Sequence, residues 1–155
     1  MGDGEPRTRA GMQGRVMREL AVVQRQSETR FNRALRPLGL SMTQVGLLAR
    51  LAGPHAVTVG ELAKVLEVNQ PAVSKIVTAL SARGAVRVAT VDADARRRLV
   101  HLTPAGSRLL AKARAALHPE ATAIFADLDD AQLETLHTLL VTIRERLDRD
   151  PSGAP

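Results

Sequence analysis

Residues 92–106 read DADARRRLVHLTPAG. Two carboxylates, Asp92 and Asp94, stand just ahead of three consecutive arginines, Arg96, Arg97 and Arg98. The runs on either side, VRVATV and LVHLT, are β-branched and alternating, the pattern of two paired strands. A hairpin tip needs polarity, but it does not need guanidinium at this density. Guanidinium groups bind phosphate in a bidentate fork and enter narrow, electronegative grooves. A carboxylate two residues from Arg96 can hold that side chain extended and reduce the entropy lost on binding. Against this stands a solvated turn with a weak surface ion pair. Arg97 and Arg98 suit phosphate contact or solvation.

A second set of polar groups falls on one side of a helix. In NQPAVSKIVTALSARG, residues 69–84, the apolar Val73, Ile76, Val77 and Leu80 recur on one face. Pro71, Ser74, Lys75 and Thr78 then share the opposite face, while Asn69 and Gln70 project from the start. Glutamine can pair bidentately with adenine, and Ser, Thr or Lys can reach base edges or phosphates. The N-terminus of such a helix itself favours a phosphate. The bland alternative is an ordinary amphipathic helix with a solvated face.

Other chemistry finds no support. The four histidines, His55, His101, His118 and His137, show no metal-ligand spacing. No glycine-rich phosphate loop and no nucleophile motif is present. The expectation is therefore no enzyme, no cofactor and no metal. The absence of cysteine excludes disulfides and thiol redox chemistry and fits a reducing cytoplasm. No apolar run reaches membrane-spanning length, so no membrane partner is expected. The formal charge of +6 favours a polyanion. Part of the arginine excess is also what a GC-rich genome produces. With two phenylalanines as the only aromatics, the core must be built from Leu, Val, Ala and Ile.

The elements that hold these groups can be read from caps and periodicity. Residues 1–14 read as a disordered tail, as do 149–155. A helix over about Val16–Leu35 ends at Pro37 and Gly39. SMTQ, with Ser41 and Gln44, and TVGE, with Thr58 and Glu61, are capping boxes that open two further helices. Asn69 caps the helix described above, over about 69–83. The hairpin occupies about 86–103. Thr103 caps a helix that Pro119 must kink or interrupt, and Asp129 caps a last one. Leu133, Leu136, Leu140, Ile143 and Leu147 in that last helix are spaced three and four apart, a heptad seam for one partner helix. The fold class expected is mostly α with a small β-hairpin wing.

Residues 58–103 thus form two short helices and a hairpin. With LSMTQVGLLARL (40–51), TVGELAKVLEVNQPAVSKIVTALSARGAV (58–86) and DADARRRLVHLTPAG (92–106), the chain resembles the MarR family (multiple antibiotic resistance regulators) over nearly its whole length. The most specific match is the acid Asp94, Arg96 two residues on, and LTPAG at 102–106. Where the family usually has a second arginine between acid and wing arginine, this chain has Ala95. The resemblance implies a winged helix-turn-helix domain over 40–103, flanked by dimerisation helices over 15–39 and 104–148. It implies a cytoplasmic homodimer that binds double-stranded DNA at a pseudo-palindromic site. Such proteins are often repressors released by small aromatic or lipophilic molecules. Dimerisation would use Val16, Leu20 and Val23 with the seam from Leu133 to Leu147. Two other readings are a winged-helix module that binds protein instead of DNA, and a small-molecule-binding or catalytic helical domain.

Overall fold

Thr8 sets the start of the first helix. Its hydroxyl accepts from the Gly11 N–H at 3.2 Å, and α1 runs Arg9–Leu35. Residues 9–14, expected to belong to a disordered tail, are therefore helical. Gly11 and Gly14 made that stretch read as irregular; a threonine cap and the helix formers between them offset their cost. The computed structural model describes residues 8–53, 56–90 and 98–149.

A short 3₁₀ turn, Arg36–Leu38, and Gly39 in the left-handed conformation (φ 60°) end α1. Helix α2, Met42–Leu51, opens on the Ser41/Gln44 capping box. The Met42 N–H also donates to Asn32 Oδ1 of α1 at 3.2 Å. Strand β1 is only Val57–Thr58, and Thr58 then caps α3, Val59–Val65, through its box with Glu61. Helix α4, Gln70–Ala82, is followed by strands β2, Val86–Thr90, and β3, Arg98–Leu102. Helix α5, Pro104–Ile124, and helix α6, Asp130–Arg149, complete the chain.

The sheet has three antiparallel strands in the order β1-β3-β2, not the two expected. Val88 and Val57 both face Val100, from opposite sides of β3. Two residues carry no readable alternation, which is why β1 is invisible in the sequence. It extends the sheet by one edge and sets α3 against the base of the hairpin.

Two compact units make up the chain, one up to Glu120 and one from Ala121. The core lies in the first. Leu35, Leu47, Leu48, Leu62, Val73, Leu80 and Val100 are fully buried. Burial of each such leucine or valine stabilises the fold by about 1.5–3 kcal/mol. Neither phenylalanine is buried in this core, which is aliphatic as composition requires.

Of the kink or interruption expected at Pro119, the interruption does not occur: α5 remains helical to Ile124. Proline removes one backbone donor and frees the carbonyl four residues back. Ala115 and Pro119 are themselves solvent-exposed, so water can take that carbonyl. In the second unit, Asp129 caps α6, with Gln132 returning the bond: the two side chains accept from each other's backbone N–H at 2.8 and 2.9 Å.

Candidate nucleic-acid interface

Helices α3 and α4 with the turn between them form a helix-turn-helix, and β2 and β3 form the base of a wing. The turn closes on Glu67, which has φ 53°. There the Val68 N–H reaches back to Ala63 and the Glu67 N–H to Lys64, satisfying carbonyls that α3 leaves free. Asn69 then starts α4. Its Oδ1 accepts from the Ala72 N–H at 2.9 Å, so half of this side chain is committed to the helix. Pro71 has no N–H, and that of Ala72 is taken. The helix start therefore offers a phosphate fewer donors than an ordinary N-terminus.

Val73, Val77 and Leu80 are buried and Ile76 half-buried, which fixes the rotation of α4. Gln70, Pro71, Lys75 and Thr78 are exposed on the other side, with Ser74 half-buried between them. The expected polar face is thus a single continuous surface. Thr78 spends its hydroxyl proton on the Ser74 carbonyl at 2.9 Å, leaving only its lone pairs outward. Gln70 and Lys75 are exposed there and carry side-chain donors long enough to reach across a groove.

Arg98 does not sit at the hairpin tip. It opens β3, opposite Thr90. From there it lines a cleft of about 400 Å³ with Val59, Ser74, Thr78, Ser81 and Val88. An adjoining cleft of about 370 Å³ joins Arg98 to Gln70, Ser74, Thr58, Gly60 and Glu61. A guanidinium thus stands beside the polar face of α4. Asp94, Arg96 and Arg97 lie outside the described residues, as do Ala95 and His55.

Some contributors were not legible in the sequence. Gly60 is one: a β-carbon there would stand 3.3 Å from Gln70 Nε2, so the starts of α3 and α4 approach closely. Arg83 is another, and it bonds to residues 44 and 45 positions away. No local pattern announces either contact.

The helices assigned to dimerisation carry their apolar residues largely uncovered in the single chain. Val16 and Val23 of α1 are 43% and 51% exposed. Leu140, Ile143 and Leu147 of α6 are 42%, 43% and 68% exposed, while Leu20, Leu133 and Leu136 are half-buried. Among the described residues there is no cluster of three or more His, Cys, Asp or Glu able to hold a metal ion. No described helix is long and apolar enough to cross a membrane.

Comparison with known proteins agrees with this geometry. A model of the MarR family matches residues 38–97, which span the helix-turn-helix and enter the wing. A transcriptional regulatory protein assigned to the hcr operon of Thauera aromatica is 30% identical over 117 residues, 76% of this chain and 68% of that protein. The structure is similar to the transcriptional regulator BldR from Sulfolobus solfataricus, with a TM-score of 0.80 at 26% identity, over 90% of this chain and 99% of that one. It is also similar to Sco3205 from Streptomyces coelicolor, a MarR family regulator solved in complex with DNA. There the TM-score is 0.77 at 27% identity, over 94% of this chain and 93% of that one. The chain belongs to the MarR family and is a DNA-binding winged helix-turn-helix transcriptional regulator, not an enzyme.

Proposed function

We propose that the protein is a cytoplasmic homodimer that binds a pseudo-palindromic operator as a repressor and is released by a small aromatic or lipophilic molecule. The observation that carries the DNA-binding half of this reading is the exposed face of α4, with Gln70, Lys75 and Thr78 in one surface and Arg98 beside it. Helix α4 enters the major groove. Gln70 and Lys75 read base edges, and Ser74, Thr78, Pro71 and the outer half of Asn69 pack on the groove wall or on phosphate. Asp94 steadies Arg96 in the neighbouring minor groove. Arg97 and Arg98 bind phosphate on the way. Support from outside the chain is the relative from Streptomyces coelicolor, which was solved with DNA.

Exposure supports the dimer. Exposed aliphatic residues at Val16, Val23, Leu140, Ile143 and Leu147 need a cover, and a second copy supplies it by interlocking the N-terminal and last helices. The effector would act where these helices meet the DNA-binding domain, at Pro37–Ser41 and at Thr103. Effector and DNA would then weaken each other by the same factor, since coupling is reciprocal. Light scattering at micromolar concentration, followed by gel shift with and without small aromatic acids, tests the reading. A dimer whose DNA affinity falls with the acid supports it. A monomer overturns the assembly, and an affinity indifferent to every acid and lipophilic drug tried overturns the ligand response.

A further inference from the structure

Arg83 is the C-terminal cap of α4, the helix that the proposed reading places in the major groove. Its guanidinium donates to the Leu38 carbonyl at 2.8 Å and to the Gly39 carbonyl at 3.0 Å. Those two carbonyls lie where the chain leaves α1 and its 3₁₀ turn, and helix ends leave such acceptors without partners of their own. Gly39 is left-handed at φ 60°, and its N–H closes on Arg36. The residues that end α1 therefore carry a backbone bond of their own besides those to Arg83. Asn32 of α1 adds a bond to the start of α2, so this exit is fixed from both sides.

The same end of α4 is fastened a second time. The Thr103 hydroxyl donates to the Gly84 and Ala85 carbonyls at 2.6 and 3.0 Å and accepts from the Gly106 N–H at 3.0 Å. Residues 83–85 thus tie the recognition helix to the end of α1 on one side and to the base of α5 on the other. Of the two ties, the one through Thr103 is short in sequence and belongs to the hairpin. The one through Arg83 is the long-range one. It is also the one that a small rotation of α4 against α1 would break, because a planar fork with two acceptors tolerates little tilt.

We infer that Arg83 is a positioning residue that sets the angle of the recognition helix against the N-terminal dimerisation helix, and so fixes the half-site spacing the dimer accepts. It touches no base itself. The inference rests on the dimeric reading above. The probe is the tightest duplex that the wild-type protein selects from a random-sequence pool, together with two versions whose half-site spacing is one base pair longer or shorter. Wild-type affinity should fall by about tenfold or more on the altered spacings, the scale of one wrong base pair. In Arg83→Ala the three affinities should converge, with melting temperature and random-DNA affinity close to wild type. Arg83→Lys, which keeps the charge but loses the fork, should fall between the two, and it decides the matter if the alanine variant does not fold. Undiminished spacing discrimination in both variants overturns the inference and leaves the dimer standing. So does a uniform loss on all DNA together with a lower melting temperature, since the arginine would then be merely structural. A wild-type protein indifferent to spacing overturns the dimeric reading and this inference together.

Discussion

Gly106, in the first turn of α5, lies against the carbonyl oxygen of Ala85: a β-carbon there would collide with that oxygen and with Leu102 Cδ1. The contact lets α5 approach the end of α4 closely enough for Thr103 to bond both. Neither the Ala85 backbone nor the buried helix turn can yield cheaply. Gly106→Ala should destabilise the protein by about 1–3 kcal/mol, as overpacking does. Urea unfolding followed by circular dichroism checks this, and DNA affinity should fall along with stability.

Left-handed residues close the turn after α3 and the end of α4: Glu67 at φ 53° and Gly84 at φ 67°. A side chain in that conformation costs about 1–2 kcal/mol relative to glycine. Nothing lies within 4 Å of where a β-carbon on Gly84 would stand, so its cost is purely backbone. Glu67→Gly should therefore stabilise by about 1 kcal/mol, and Gly84→Ala should destabilise by a similar amount. Opposite shifts of the denaturation midpoint at unchanged slope are the expected signature.

Arg96→Ala should weaken DNA binding without changing stability, as the sequence reading of residues 92–97 as a polar turn implies. The slope of log K against log salt should shrink by about one unit per affected half-site, as one counterion release is lost. Asp94→Ala should give a milder version of the same change. Titration across a salt series measures both. An unchanged slope in Arg96→Ala would make the arginine run a solvated turn.

Gln70→Ala and Lys75→Ala should behave differently from the wing variants. If each side chain reads a base, its loss costs about 1–3 kcal/mol on the selected operator and much less on random DNA. Competition binding with the two duplexes separates the cases. An equal loss on both would assign the side chain to phosphate.

The helix starts were legible because capping is local. Ser41 with Gln44, and Thr58 with Glu61, lie three residues apart, and the structure has both reciprocal bonds. The rotation of α4 was legible for the same reason, from the spacing of Val73, Val77 and Leu80. What escaped depends on distant chain. Strand β1 exists only because β3 pairs with it. Arg83 looks like any basic residue at a helix end until the Leu38 and Gly39 carbonyls are placed beside it. The early start of α1 was hidden by Gly11 and Gly14, whose low helix propensity the Thr8 cap and the length of the helix outweigh.

Footprinting of the wild-type protein on genomic DNA tests the central claim most directly. The account predicts a protected region with two half-sites related by a two-fold axis, about 10 base pairs apart from centre to centre. Their outer flanks should be cut less in the minor groove, where the proposed reading puts the wings. Absence of any discrete protected region up to concentrations that coat the DNA uniformly would contradict it. So would protection of a single, asymmetric half-site.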